Sequence, residues 1–515
     1  MKRRYNVSLK LTGLSSGVTE KNYDLKNVAF YNNGRAGPRD QYRLVATIPS
    51  LVGGTVSIRA TYVFHNMTFV FYNDTSAGTN LGYLKYLDRS GNPQSITGLP
   101  ENFAASMFCD FAEMNGELFF CPNYDANTSP YIIKFVGGTT LFEARKTTAT
   151  TGVDQPLLAG VLVNHRGVMF CARIRDENSG LELAGNRIRW SAFAEPENFD
   201  PWGTTDNPSW LNYEDLGEPS DPIVRMVSFK NDLFIFKRQS IWLVSGFADL
   251  GYGIAPDVVR EINHELGLTG PYAISWDEEK IVFISEMGIF KFDGQSFRKM
   301  DDTIWEYFRD IPRNCLWAAC VNNEDDMQRY HILIPRHGQH IEDDFVLCED
   351  GRWSRWEYGF VPVFQRTDTD DYSKYSTFIG TNDGRIFQRG ESEEAVETVW
   401  ASDWINLGHN GMKQVRSLEL LIAATGDFPL TIEVTTEFGA RIIQSTTIKE
   451  IEAQYRVLDS TAITDDVQIT MDRENFFPWI VDLSLGSCRR MKVKVSGILL
   501  TIQELKIGYL KGTGI

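Results

Sequence analysis

The sequence predicts an all-β chain: a β-propeller of seven blades, with six as the alternative count, followed by a C-terminal β-sandwich. Three observations predict it. Apolar, β-rich runs turn sharply at Asn66, Asn115-Gly116, Arg166-Gly167, Asn231-Asp232, Asp277-Glu278, Asn322-Asn323 and near Asp370, at intervals of 45–51 residues except for one of 65. A period of roughly 40–50 residues built from short strands is the mark of propeller blades. One stretch spells out a whole blade: Tyr272–Trp276, Lys280–Ile284, Met287–Phe292 and Ser296–Arg298, joined by Asp-Glu, Gly and Asp-Gly turns. Strands of about five residues between turn-forming residues have the usual length. Beyond Trp400 the pattern changes to strands that mostly alternate apolar with polar residues, as in Leu418-Glu419-Leu420 and Leu430-Thr431-Ile432-Glu433-Val434. Period two means one buried and one wet face.

Taken in order, residues 1–57 read as an N-terminal arm with strands at 27–31 and 42–46 around the Arg35–Arg39 turn loop. The propeller is placed at 58–397, with the long interval after Arg166 read as an insertion at about 173–222. Residues 303–311, behind Asp301-Asp302 and ahead of Pro312, predict the clearest short helix in a chain otherwise poor in helix. A boundary falls in the acidic stretch Glu391–Glu397, and 398–515 forms the sandwich.

With 515 residues, 43% of them hydrophobic, a sizeable core and at least two domains are expected. The seven cysteines (109, 121, 171, 315, 320, 348, 488) are odd in number, contain no CxxC pair and sit mostly in apolar strands, so they read as buried, reduced thiols. Met1-Lys2-Arg3-Arg4 is basic, but no apolar run follows it, which predicts a protein that does not export itself. No apolar stretch is long enough for a spanning helix, which predicts no membrane insertion.

Catalytic patterns are absent: no phosphate loop, no GxSxG and no HExxH. His331, His337 and His340 with Glu342 and Asp343 invite a metal reading, but His331 lies inside an apolar strand run. Asp368-Thr369-Asp370-Asp371 lacks the Gly and closing Glu of a calcium loop. The expectation is therefore no catalytic residue, no cofactor and no metal. Glu349-Asp350-Gly351-Arg352-Trp353 matches one fragment of a sialidase Asp-box, without recurrence.

The segment Gly185–Phe199 (GNRIRWSAFAEPENF) resembles the R-I/V-x-W-S-x-x-x-x-P-E-x-W/F stretch of the tail nozzle and hub, packaged-DNA-stabilising proteins of short-tailed bacteriophages. The residues that carry it are Arg187, Ile188, Trp190, Ser191, Pro196, Glu197 and Phe199. Residues 25–35 are similar to that family's N-x-x-F-x-x-G entry, and 229–242 and 267–289 to two of its blades. The resemblance spans about two-thirds of the chain and leaves the sandwich matched by pattern only.

What the resemblance implies is a non-enzymatic virion protein of the tail, assembled in the host cytoplasm. It would form a homohexameric ring below the portal and adaptor and contact tail fibre or needle proteins. Double-stranded DNA would pass through it without tight binding. Trp202, Trp210, Tyr213, Arg35 and Arg39 are the candidates for subunit contacts. The alternative is a carbohydrate-binding or carbohydrate-degrading propeller, a receptor-binding protein or depolymerase, in which loop aromatics stack sugars.

Charge supplies the first prediction. With 51 basic and 68 acidic residues the net charge is −17, and no long basic stripe offers cations to release counterions. The protein is expected not to retard duplex DNA in a mobility-shift assay at physiological salt; sub-micromolar binding with a steep salt slope would contradict a passive channel wall.

Overall fold

The computed structural model describes residues 4–9, 27–30 and 36–511 apart from short internal breaks, the longest at 148–156, 176–182, 200–212, 302–310 and 448–476. Among these residues there is no α-helix. The helix expected at 303–311 falls on residues outside the described ones, save Ile311.

Seven antiparallel sheets of four or five strands follow one another along the chain. Their inner strands are Thr55–Phe64, Asp110–Met114, Val161–His165, Ile223–Phe229, Ile274–Trp276, Cys320–Glu324 and Pro362–Thr369. We number the blades 1 to 7 in that order. The β-propeller has seven blades, and specific contacts carry each into the next. Tyr62 stacks on Phe111 at 5.1 Å between blades 1 and 2, and the Leu162 amide donates to Asp110 at 2.9 Å between 2 and 3. His165 meets the Ser228 hydroxyl at 2.8 Å, and Phe236 meets Phe283 edge-on at 5.2 Å. The Asn323 amide donates to Ser275 at 3.1 Å, and that of Thr367 to Asn322 at 2.7 Å. The ring closes where the Val63 amide of blade 1 donates to Asp368 of blade 7 at 3.1 Å. Gly380 of blade 7 sits so close to blade 1 that a Cβ there would lie 2.6 Å from the Ile58 Cγ2.

The hairpins follow the sequence where two-residue turns demand left-handed backbone. His65-Asn66, Asn115-Gly116 and Arg166-Gly167 all have positive φ at both positions, and the flanking residues pair directly. Two expected turns shift. The blade 4 turn is Lys230-Asn231, because Asp232 already pairs with Phe229. Asn322 and Asn323 lie inside a strand, and the chain turns only between Glu324 and Arg329; both asparagines stay in the strand because they bond neighbouring blades rather than a turn.

The segment read as an arm is built into both domains. Tyr42–Thr47 pairs with Arg385–Arg389 as the fourth, outermost strand of blade 7, so the last blade is completed from the other end of the chain. Arg4–Leu9, Val28–Phe30 and Ala36–Pro38 join the sheet formed by Lys413–Ala424, Phe477–Asp482 and Leu500–Lys511. A second sheet of Glu397–Ala401, Arg490–Ile498, Pro429–Thr436 and Arg441–Thr447 completes the sandwich. Leu418, Leu420, Ile422, Leu430, Ile432, Val434, Val493 and Val495 are all fully buried, the inward half of the alternation.

One buried residue stitches these parts together. Asn27, with φ 56°, donates its backbone amide to the Arg355 carbonyl at 2.8 Å and its side-chain amide to the Glu397 carbonyl at 3.0 Å. Its Oδ1 accepts from the Glu357 amide at 2.7 Å. Arg39, expected as a subunit contact, is instead 2% exposed and donates to Asn27 Oδ1 at 3.2 Å and the Glu357 carbonyl at 2.9 Å. A guanidinium satisfied by fixed carbonyls inside the fold is not a surface anchor.

Behind Tyr42 lies a buried ionic cluster between blades 6 and 7. Glu324 is 2.6 Å from Arg329, 3.1 Å from His331 and 3.4 Å from Arg389. His331 Nδ1 is 2.8 Å from Asp344, which also accepts from the Tyr358 hydroxyl, and Arg329 pairs with Asp40 just ahead of the closing strand. Three carboxylates thus face three cations, and His331 is a member of this ion network; the side chains of His337, His340, Glu342 and Asp343 lie outside the described ones. Although burial alone would lower it, the two carboxylates push the His331 imidazole up to about 9. Burial opposes ionisation of Glu324 as well, but Arg329 and His331 hold its carboxyl well below the usual range.

A pH profile of stability follows from these two shifts. The raised imidazole contributes in full below its unfolded value of 6.5 and loses its contribution by about 9; the depressed carboxyl contributes above 4.5 and loses it as pH falls. Thermal unfolding should give a plateau between those limits and a fall in Tm from pH 6.5 to 9, flattened in His331→Gln. An unchanged alkaline slope in that variant would contradict the assignment.

Candidate functional site

Two places merit attention: the segment that resembles the phage family, and the centre of the ring. In the first, Arg187, Ile188 and Trp190 lie on the third strand of blade 3, Leu183–Trp190. Ile188 and Trp190 face the core, as period two requires, while Arg187 faces out and grips Asp215 through two bonds of 2.7 and 2.8 Å. The Arg187 guanidinium also lies 4.4 Å above the Tyr213 ring. Tyr213 therefore serves its own blade edge. Ser191 ends the strand: its hydroxyl accepts from the Met169 amide at 3.0 Å and donates to the Ala192 carbonyl at 2.8 Å.

The loop after it folds back toward blade 2. Ala194 has φ 58°, its amide donates to the Gly167 carbonyl at 2.8 Å, and its carbonyl accepts from Asn115 at 2.9 Å. Glu197 receives both guanidinium nitrogens of Arg145, at 2.8 and 2.5 Å, and the Thr147 hydroxyl at 3.0 Å. Pro196 lines the open acidic groove beside it with Glu117 and Glu195, and Phe199 anchors the loop end in the core. The motif is thus a clamp between blades 2 and 3. Trp202, Trp210 and Arg35 lie outside the described residues.

At the centre of the ring, Phe108, Tyr124, Tyr272, Trp317 and Phe364 meet edge-on at 5.0–5.9 Å. The Tyr272 hydroxyl donates to the Cys109 carbonyl at 2.9 Å and accepts from the Cys109 amide at 3.1 Å, tying blade 5 to blade 2 across the axis. Beside this aromatic block is a chamber of about 180 Å³ lined by residues of six blades, among them Asp110, Arg225, Asn322, Gln365 and Arg366.

Its ionic side chains are spoken for. Asp110 is 2.7 Å from Arg225 and also accepts from the amides of Phe111 and Leu162, each at 2.9 Å. Arg366 is 2.6 Å from Asp368 and lies 4.5 Å over Tyr62. Burial raises both carboxyls above the ordinary range despite their arginines, and it pushes the Cys320 thiol up to about 12, which makes that sulfur an inert neutral group. Gln365 differs: 1% exposed, it has no protein hydrogen bond at either side-chain amide atom. Apart from Asp368, weighed above as part of an incomplete calcium loop, none of these central charged and polar residues was a sequence candidate. The available signal was a polar or charged residue within an apolar inner strand, as in Phe108-Cys109-Asp110-Phe111 and Val224-Arg225-Met226.

No protein-family model matches the chain, and no curated protein matches it in sequence. Among solved structures it is similar to the WD40 domain of Neurospora crassa Pan2, at 8% identity over 68% of this chain and 97% of that one, with a TM-score of 0.36. It is also similar to an exo-β-1,3-galactanase of Phanerochaete chrysosporium, at 8% identity over 82% of this chain and 98% of that one, with a TM-score of 0.25. The propeller rests on the sheet order and ring contacts above.

The two places differ in what a substitution removes. Asp110→Asn strips the counter-charge from Arg225 inside the core and should cost about 3–5 kcal/mol in denaturant unfolding. Arg187→Ala breaks a half-exposed pair and should cost about 1 kcal/mol or less. Equal losses would contradict this division.

Proposed function

We propose that this protein is a non-catalytic structural component of a bacteriophage tail, acting as one copy of a nozzle or hub ring. The observation that carries the reading is the coupling within the family-like segment. Arg187 holds the outer strand of blade 3, Ile188, Trp190 and Phe199 pack into the core, Ser191 ends the strand, and Glu197, beside Pro196, ties the following loop to blade 2. Such a clamp stiffens a wall rather than shaping a reaction site.

The centre supports the same reading. A glycosidase holds two carboxyl groups across the bond to be cut, one of them free to act on it. Here Asp110 and Asp368 are committed to arginines and backbone amides. The acidic surface suits a wall along which DNA slides without sticking. Ring assembly requires two different patches that meet head to tail, and we assign one of them to the 173–222 region and its clamp.

The test is assembly. Purified protein mixed with its adaptor should give rings in negative-stain images, and deletion of residues 200–216 should impair them. Monomers under all conditions, or turnover of a capsular or lipopolysaccharide glycan abolished by one Asp or Glu substitution at the centre, would overturn the proposal.

A second reading, a propeller that binds carbohydrate, has one observation in its favour: next to the central chamber lies a wider pocket lined by aromatic and polar groups, with Ser275, Trp276 and Thr367 on the walls of both.

A further inference from the structure

We propose that two surfaces of this chain dock on each other between copies: the turn face of blades 2 and 3 around Phe193 and Glu195, and the sandwich hairpin tip at Phe438 with Arg489 beside it. The inference rests on the ring reading and names its contact. The partner it commits to is a second copy of the same chain.

Each surface presents a phenylalanine. Phe438 and Phe193, 65% and 62% exposed, are the two most exposed phenylalanines among the described residues. A single apolar side chain on a surface is ordinary, so exposure alone decides nothing. What sets these two apart is how firmly each is held. Phe438 sits in the turn between Pro429–Thr436 and Arg441–Thr447, where Gly439 has φ 81°. The Gly439 amide donates to the Thr436 carbonyl at 3.0 Å, and that of Ala440 to the Thr436 hydroxyl at 3.1 Å. Glu437 fastens the tip to the next strand by accepting from the Arg489 amide at 3.0 Å and the Arg490 guanidinium at 3.4 Å. Phe193 lies over Gly167, where a Cβ would come within 2.8 Å of its ring. The residue after it is bonded to Gly167 and Asn115. An aromatic group already fixed in place loses little freedom on docking.

Charge pairs the two surfaces. At the tip Arg441 is bound to Glu433 and Arg490 to Glu437, which leaves the charge of Arg489 over; among the described residues its guanidinium makes no ion pair. At the groove Glu197 is bound to Arg145, while the exposed Glu195 meets the Asn198 side-chain amide at 2.7 Å and makes no ion pair among the described residues. Glu117 adds a second acid to the groove wall. Each surface thus sets a fixed phenylalanine beside a surplus charge, and the two charges are opposite in sign. Such surfaces attract each other and repel a copy of themselves.

Placement agrees with repeated contact. The sandwich is fastened at blade 6, where the Asn27 amide donates to the Arg355 carbonyl of the outer strand. In a ring of seven, blades 2 and 3 are each three places from blade 6, so the groove lies across the propeller from the sandwich. Two unlike surfaces on opposite sides are what a head-to-tail ring uses.

The test uses the full chain on its adaptor, with rings counted in negative-stain images over a range of protein concentrations. Glu195→Arg, Arg489→Glu and Phe438→Asp should each raise the concentration needed for rings at least about tenfold. The chain that carries both Glu195→Arg and Arg489→Glu should form rings near the wild-type concentration, because a reversed tip then meets a reversed groove. All three residues are exposed, so every variant should keep the wild-type Tm, which is the control for folding. Rings at the wild-type concentration from the single variants, or a double variant more defective than either of its parents, would overturn the contact while leaving the nozzle reading standing. Absence of rings from the wild-type protein would overturn the reading and the contact together.

Discussion

Everything else in this molecule depends on closing the ring. Seven blades form a closed wall only if the last is finished, and blade 7 lacks its fourth strand until Tyr42–Thr47 arrives from the other end of the chain. A strand supplied across more than three hundred residues carries a large loop-closure cost. The structure meets it with a dense local set of bonds: the ladder to Arg385–Arg389, the Asp40–Arg329 pair ahead of the strand and the Asn27–Arg39 knot. The same segment then passes into the sandwich, so propeller and sandwich share one fastening. Neither is finished without residues that precede blade 1.

The ionic cluster behind the closing strand is costly in isolation. Six charged groups taken out of water are tolerated only because they balance three against three, with Tyr42 and Tyr358 packed beside them. An apolar interface of equal volume would hold the blades as well, but many registers of apolar side chains pack tolerably. The fixed geometry around Glu324 accepts one. On this view blades 6 and 7 trade some stability for a unique register, which a strand arriving from far away needs. The aromatic blade 1–2 and 4–5 interfaces join neighbours in sequence and have less need of it.

Much of this was legible in the sequence, because hairpins have local chemistry. Asn115-Gly116 and Arg166-Gly167 place residues that tolerate positive φ between apolar runs, and the strands fall where that demands. The sandwich strands were equally plain, since alternation at 418–422 and 430–434 marks a face directly. What local pattern does not carry is partnership. Tyr42–Thr47 looks the same whether it is an arm or the outer strand of blade 7. Asn322-Asn323 has the composition of a turn, and only Thr367 and Ser275 on other blades explain its place inside a strand. Arg39 beside Gly37-Pro38 reads as a surface loop residue until Asn27 and Glu357 are brought around it. The candidate centre was hidden for the same reason: Asp110, Arg225 and Gln365 come from three blades, and no spacing along the chain announces that they meet.

Amide hydrogen exchange tests the central claim most directly. If the strand from the beginning of the chain closes the ring, the amides of Tyr42–Thr47 that pair with Arg385–Arg389 should exchange only with global unfolding, as slowly as those in the inner strands of blades 4 and 5. Rapid exchange of Tyr42–Thr47, with blades 1 to 6 still protected, would show that the propeller holds without its closing strand and would contradict the account.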